Sequence, residues 1–170
     1  MALIYTIGYE GTDIDRFIAT LKTVAVSRVA DVRAVALSRK MGFSKKALSA
    51  RLAEADIEYV HLSELGDPKP GREAARAGLF DKFRAIYESH MRTESAQTSL
   101  RELVSLAAEK STCLLCFERD PMTCHRSIVA GELKISGFQV CDLYGDDPER
   151  YVRHASRMPS HYPCEGTATA

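Results

Sequence analysis

Short apolar runs rich in β-branched and aromatic residues recur along the chain and predict five β-strands. These runs lie at residues 3–8, 29–33, 58–62, 112–117 and 138–143. Between them, apolar residues recur every three or four positions, which is the spacing of one face of an α-helix. Thr12 is the predicted N-cap of the first helix, whose apolar face comprises Ile14, Phe17, Ile18, Leu21 and Val24.

Strands that alternate with helices predict an α/β fold. Because right-handed crossovers place helices on the faces of a parallel sheet, we expect a three-layer, Rossmann-like sandwich with a mostly parallel sheet of about five strands. The length of 170 residues suits one domain, expected over 1–145 and followed by a partly flexible C-terminal extension over 146–170. The segment 63–78 is rich in Gly and Pro, so we predict a working loop or lid there.

Composition and charge narrow the class of protein. Apolar residues make up 45% of the chain and charged residues 27%, the usage of ordinary soluble globular proteins. No run approaches the roughly 18 apolar residues that cross a bilayer, and the N-terminus lacks the layout of a signal peptide. We therefore expect a cytoplasmic protein with no membrane partner.

The five cysteines indicate reduced thiols rather than a disulfide framework, because their number is odd and no export signal is predicted. Cys113 and Cys116 have the spacing of a redox motif. However, residues three apart in a strand point to opposite faces of the sheet, which disfavours a thioredoxin-like role.

The densest group of reactive side chains follows the fourth predicted strand. Glu118 ends this strand, and Cys124, His125 and Arg126 come where the next helix should begin. Glu10 follows the first strand in the same way. Because ligands of parallel sheets bind beyond the carboxyl ends of the strands, we expect these groups to face one crevice if strands one and four are neighbours.

Four blocks of this sequence resemble the DUF488 family, a domain family of unknown function. The blocks are Thr6-Ile7-Gly8-Tyr9-Glu10-Gly11; Asp31-Val32-Arg33 with Ser38-Arg39 and Gly42-Phe43; Tyr59 and His61-Leu62 with Leu65-Gly66 and Pro68-Lys69; and Leu115-Cys116 and Glu118 with Cys124-His125-Arg126. The resemblance implies an α/β fold with a site built from these blocks. It implies neither a reaction nor a substrate.

Arginines near the start of a helix predict a site for an anionic, phosphate-bearing or nucleotide-like ligand. Guanidinium groups match phosphate or carboxylate, and the free N–H groups of a helix N-terminus favour negative charge. The ring of Tyr9 could stack on a base. In the alternative interpretation, the arginines pair with nearby carboxylates and only hold the loops. The predicted ligand-binding residues are Gly8, Tyr9, Gly11, Arg33, Ser38, Arg39 and Arg126.

The predicted catalytic residues are Glu10, Glu118, Cys124 and His125. Two carboxylates that follow neighbouring strands suit acid–base chemistry, as in glycosyl transfer and hydrolysis. Cys124 lies near a helix N-terminus, which favours a thiolate nucleophile, and the alternative is a structural thiol. The spacing excludes the phosphatase loop, because only His125 separates Cys124 from Arg126.

Metal binding is an alternative at the same place. Cys116, Cys124 and His125 offer the thiolate and imidazole groups that zinc prefers, and iron is also compatible. Their spacing matches no common zinc module, and the sequence shows no fourth ligand. We therefore predict no cofactor, with zinc or iron as the alternative.

Two classes of function remain open. The first is a hydrolase or transferase that recognises a nucleotide or phosphate. The second is a nucleic-acid-binding module without chemistry, using the basic segment 28–51, which holds seven Lys or Arg and one acidic residue. The net charge of zero weakens the second class.

Overall fold

Five parallel strands form one sheet in the computed structural model, which describes residues 2–148 and 150. The order across the sheet is β3-β2-β4-β1-β5, and every neighbouring pair is parallel. The predicted α/β fold is confirmed. The first and fourth strands are neighbours, which is the condition that the expected common crevice required. The strands are β1 (Leu3–Gly8), β2 (Arg28–Asp31), β3 (Glu58–His61), β4 (Thr112–Cys116) and β5 (Gln139–Tyr144).

Helices cover both faces of this sheet. Helices α1 and α2 pack on one face, and α3 to α6 pack on the other, which gives the three predicted layers. Short 3-10 turns lie at Ser63–Leu65 and Pro121–Thr123. The helices are α1 (Ile14–Thr23), α2 (Lys45–Glu54), α3 (Lys69–Arg76), α4 (Phe80–Met91), α5 (Glu94–Glu109) and α6 (Arg126–Ile135).

Two local predictions were wrong. The segment 63–78 is not an irregular loop, because it contains a 3-10 turn and α3. Pro70 lies in the first turn of that helix, where a missing N–H costs no intrahelical hydrogen bond. The N-cap of α1 is Asp13 rather than Thr12, and the Asp13 carboxylate accepts a hydrogen bond from Arg16 N.

The limits of the described residues leave one prediction open. The predicted C-terminal extension, 146–170, lies outside the described residues except for 146–148 and 150.

None of the helices in the described part of the chain combines the length and the apolar character that a membrane span needs.

Candidate active site

The pairing of β1 with β4 brings the two most polar segments together. Gly8 lies opposite Cys116 in the sheet, and the chains continue side by side, with Glu10 N donating to Phe117 O at 2.8 Å. A Cβ atom at Gly8 would lie 1.7 Å from the carbonyl oxygen of Glu118. Gly8, predicted as a ligand-binding residue, is therefore the position that lets the loop after β4 pack onto the end of β1.

A cluster of four reactive side chains lies at this edge. His125 Nδ1 is 3.7 Å from Cys116 Sγ and 3.8 Å from Cys124 Sγ. Glu118 Oε2 lies 3.2 Å from Cys116 Sγ. Cys116, Cys124 and His125 are buried, whereas Glu118 is half-buried. The structure thus joins three of the four predicted catalytic residues with Cys116, which the sequence suggested only as a metal ligand.

Backbone groups fix the orientation of this cluster. His125 Nε2 donates to the carbonyl oxygen of Val32 at 2.7 Å, because a carbonyl can only accept. Nδ1 is therefore the ring nitrogen that faces the two sulfurs. The backbone N–H of Arg126 points at Cys124 Sγ, 3.5 Å away.

The electrostatics of the cluster are strongly coupled. A hydrogen bond from the Cys124 thiol and the nearby His125 lower the pKa of Cys116, whereas burial and the Cys116 sulfur raise the pKa of Cys124. Burial and the Cys116 sulfur raise the pKa of Glu118 to about 7. Burial opposes charge on His125, but the Cys116 thiolate outweighs it and raises the pKa of the imidazole to about 9. The arrangement favours a buried thiolate–imidazolium pair.

Arg126 is a structural support of the cluster. Its side chain is fully buried, with Nε donating to Thr6 Oγ1 at 3.1 Å. Its two terminal nitrogens donate to the carbonyl oxygens of Glu118 and Arg119, at 2.8 and 3.3 Å. The guanidinium therefore holds the loop after β4, and its Nε and both terminal nitrogens donate to protein oxygens.

Arg33 is also engaged inside the protein. It forms a buried ion pair with Asp31, with Nη2 2.6 Å from Oδ2, and it donates to the hydroxyl of Tyr9 and the carbonyl of Phe43. Burial disfavours its charge, but Asp31 holds the pKa of Arg33 above its ordinary value. The Tyr9 ring stacks on Phe43 at 4.4 Å between ring centroids, so that face is not open to a base.

The other predicted residues lie around the loops at this edge. Glu10 is exposed and accepts a hydrogen bond from Arg119 N at 2.9 Å, so it approaches the loop of Glu118. Gly11 adopts a left-handed φ of 77° in an exposed turn. Ser38 Oγ accepts from Lys40 N within its own loop, and Arg39 is exposed beside it.

The family model described as "Domain of unknown function DUF488" matches residues 13–133. The chain belongs to the DUF488 family. The comparisons with curated proteins and with solved structures gave no match. Because the family description states no activity, the function of this DUF488 protein has to be inferred from its site.

The DUF488 chain has a cleft that the sequence did not predict. It encloses about 280 Å³ beside α6, and Cys124 is part of its wall. Arg84 of α4 and Lys134 of α6 bring positive charge to it, whereas Glu88 and Asp142 bring negative charge. In the sequence, these side chains cannot be distinguished from ordinary exposed charges on helices and strand ends. Cys124 is the residue of the four-residue cluster that lines this cleft.

A buried carboxylate, also not predicted as a functional residue, lies near the cluster. Asp67 is 5% exposed, and its Oδ1 has no hydrogen-bond partner among the described residues. Burial raises the pKa of Asp67 to about 6, against the opposing charges of His125 and Arg72. The ring of Tyr87 packs on the ring of His125 at 5.2 Å between centroids. The signal in the sequence was the Gly- and Pro-rich block around Asp67, which the resemblance already included.

Ion pairs offset part of the positive charge of the basic segment 28–51. Arg28 is buried and pairs with Glu58 and Glu109, each at 3.1 Å. Arg51 pairs with Asp15 at 2.6 Å. The exposed basic side chains left in this segment, with no ion pair among the described residues, are Arg39, Lys45 and Lys46.

Proposed function

We propose that this DUF488 protein is an enzyme, a hydrolase or transferase that acts on a small phosphate-bearing or nucleotide-like ligand. The support is the convergence of Cys116, Glu118, Cys124 and His125 at the carboxyl edge of the sheet, with contacts of 3.2 to 3.8 Å. Sheets of this architecture bind their ligands at that edge. The proposed reacting centre is this cluster.

A purely structural role explains the cluster poorly. Polar and ionisable groups that are taken out of water lose solvation free energy, whereas apolar side chains fill the same space without that loss. Neutral thiols are often buried at little cost, but here the imidazole of His125 is buried against Cys116 and Cys124, and the Glu118 carboxylate lies next to Cys116. Such costly groups are retained most often where chemistry needs them.

The cleft beside α6 is the proposed ligand site. Its volume of about 280 Å³ suits a small molecule, and Arg84 and Lys134 supply positive charge for an anionic group. We assign anion binding to these two residues instead of Arg33 and Arg126. The reason is that the guanidinium groups of Arg33 and Arg126 already donate to protein oxygens.

The proposed roles follow from position. Cys124 forms part of the cleft wall and links the cleft to the cluster. Glu118 is the carboxylate that can exchange a proton with the ligand, because it is half-buried and next to the sulfurs. His125 orients and balances the charge of the sulfurs through Nδ1. Arg126 positions the Glu118 loop.

Turnover of a panel of nucleotides, sugar phosphates and phosphate esters tests the proposal. We expect the wild type to turn over at least one member, and Glu118→Gln to lower kcat/KM by about 100-fold or more with an unchanged circular dichroism spectrum. Glu102→Gln, on the exposed side of α5, is the matched control and should keep full activity. A folded wild type that turns over no member of the panel contradicts the proposal.

A further inference from the structure

The three nitrogen and sulfur atoms at the centre of the cluster have the separations of a metal site. Cys116 Sγ, Cys124 Sγ and His125 Nδ1 all lie within 4.8 Å of one another. With Zn–S distances of about 2.3 Å and Zn–N distances of about 2.05 Å, tetrahedral geometry puts sulfur and nitrogen about 3.6 Å apart. The observed sulfur–nitrogen distances are 3.7 and 3.8 Å. The two sulfur–nitrogen separations are therefore those of a tetrahedral zinc site, and the two sulfurs lie within 4.8 Å of each other.

We infer that Cys116, Cys124 and His125 bind a zinc ion through two thiolates and one imidazole. Two sulfurs and one nitrogen are the ligands that Zn²⁺ prefers, and three protein ligands with an open fourth position are typical of catalytic zinc. Cys124 belongs both to this ligand set and to the wall of the cleft. This zinc ion would be part of the proposed reacting centre. Its catalytic role, but not its binding, rests on the proposed function.

The surroundings of the cluster resemble the support that metal ligands usually have. A histidine that binds metal commonly donates its other N–H to a backbone carbonyl, and His125 Nε2 donates to Val32 O at 2.7 Å. The backbone N–H of Arg126 lies 3.5 Å from Cys124 Sγ and can stabilise a metal-bound sulfur. Both contacts leave the ligand atoms free to face a metal.

The charges of the ligand set also suit a divalent metal. Zinc would take both thiols as thiolates and His125 as the neutral imidazole, with Nδ1 free to bind. A divalent cation offsets both thiolate charges, and its binding releases the thiol protons to the buffer. Glu118 lies next to Cys116 Sγ and is not part of this three-residue ligand set.

Cobalt spectroscopy on the full chain tests the inference without any substrate. Protein stripped of metal with a chelator should bind one equivalent of Co²⁺ and show a thiolate-to-metal charge-transfer band with strong tetrahedral d–d bands, both displaced by Zn²⁺. Cys116→Ala and Cys124→Ala should each abolish the band. Cys113→Ala is the matched control, because Cys113 is equally buried in β4 but packs on the opposite face of the sheet, and it should bind Co²⁺ like the wild type.

X-ray absorption of the zinc-loaded wild type provides a second measurement that needs no variant to fold. We expect two sulfur scatterers at about 2.3 Å together with nitrogen. A folded wild type with no charge-transfer band, a band that survives Cys124→Ala, or a zinc shell without sulfur would overturn the inference. Turnover by metal-free protein would leave the proposed enzyme standing without zinc, whereas the cobalt band without turnover would leave the zinc site standing without the enzyme.

Discussion

His125 and Val32 are joined by a 2.7 Å hydrogen bond that ties the imidazole to the end of β2. Val32 is fixed in turn, because its N–H donates to the carbonyl of Leu115 in β4 at 3.1 Å. The direction in which His125 Nδ1 points is therefore set by the sheet rather than by a mobile side chain. Pre-organisation of this kind holds the reactive groups in place before a ligand or metal arrives.

Because Gly8 packs tightly against the loop after β4, adding one methyl group at this position should strongly destabilise the protein. Gly8→Ala would place Cβ 1.7 Å from Glu118 O, so we expect a loss of about 3 kcal/mol or more in the free energy of unfolding. Gly131→Ala is the control, because nothing lies within 4 Å of its Cβ and Ala favours the helix by about 1 kcal/mol. Urea denaturation measures both. Equal stabilities of the two variants would contradict this packing.

Removing one partner of the buried ion pair between Asp31 and Arg33 should lower the free energy of unfolding more than removing one partner of an exposed pair. Asp31→Asn leaves the Arg33 charge buried without its partner, so we expect a loss of about 3 to 5 kcal/mol in stability. Asp15→Asn removes the exposed partner of Arg51 and should change stability by less than about 1 kcal/mol. Denaturant titration of both variants checks this difference, and a small loss for Asp31→Asn would argue against it.

Because Asp67 is a buried carboxylate, we expect Asp67→Asn to be more stable than the wild type at neutral pH but not at low pH. Burial raises its folded pKa from 3.8 to about 6, so the folded protein holds the proton more tightly than the unfolded chain. Wild-type stability from this group is present at low pH and is lost as the pH rises through about 6. Asp67→Asn removes the loss, and we expect it to be about 2 to 3 kcal/mol more stable than the wild type at pH 7, with no difference near pH 3.

Several charged groups face Asp67, so the control variant is a carboxylate that is exposed and is not among them. His125, Arg72 and His90 favour its ionised form, whereas Cys116 opposes it. Glu102→Gln, at an exposed position, should leave the pH profile of stability unchanged. A profile of Asp67→Asn that runs parallel to that of the wild type from pH 3 to 8 would show that Asp67 is not penalised by burial.

The hydrogen bonds of Arg126 predict a local change in mobility. Arg126→Lys keeps the charge but loses the fork that donates to the carbonyls of Glu118 and Arg119. We expect faster amide hydrogen exchange across 117–120, with β1 still protected, and a stability lower by about 2 kcal/mol. Arg101→Lys, exposed on α5, serves as the reference. Unchanged exchange in 117–120 would mean that Arg126 does not hold the loop.

The sequence was most informative where local pattern decides structure. The β-branched and apolar runs gave all five strands within about two residues, because burial on both faces of a parallel sheet demands such runs. The α3 helix was missed because Pro70 and Gly71 suggested a loop. Pro70 is compatible with a first helical turn, and Gly71 is needed there because a Cβ atom would lie 2.0 Å from Asp67 Oδ1.

The candidate site was only partly predictable, for a different reason. Parallel strands place their carboxyl ends on one edge, so the Glu10 and Glu118 segments were expected at the same edge, but only the strand order shows that they are neighbours. The partners of Arg126 did not follow from the pattern, because its Nε bonds to Thr6, 120 residues away in sequence. The cleft walls from Arg84 and Lys134 arise from helix packing, which a single sequence does not reveal.

Non-additivity of two substitutions tests most directly whether Glu118 and Cys124 act in one reactive centre. The measurement is kcat/KM of Glu118→Gln, Cys124→Ala and the double variant, on the phosphate ester or nucleotide that the wild type turns over fastest. Residues that act as a unit lose their whole contribution when either is removed, so the double variant should be no slower than the slower single variant. Losses that multiply in the double variant, or a full rate in either single variant, would contradict a shared centre.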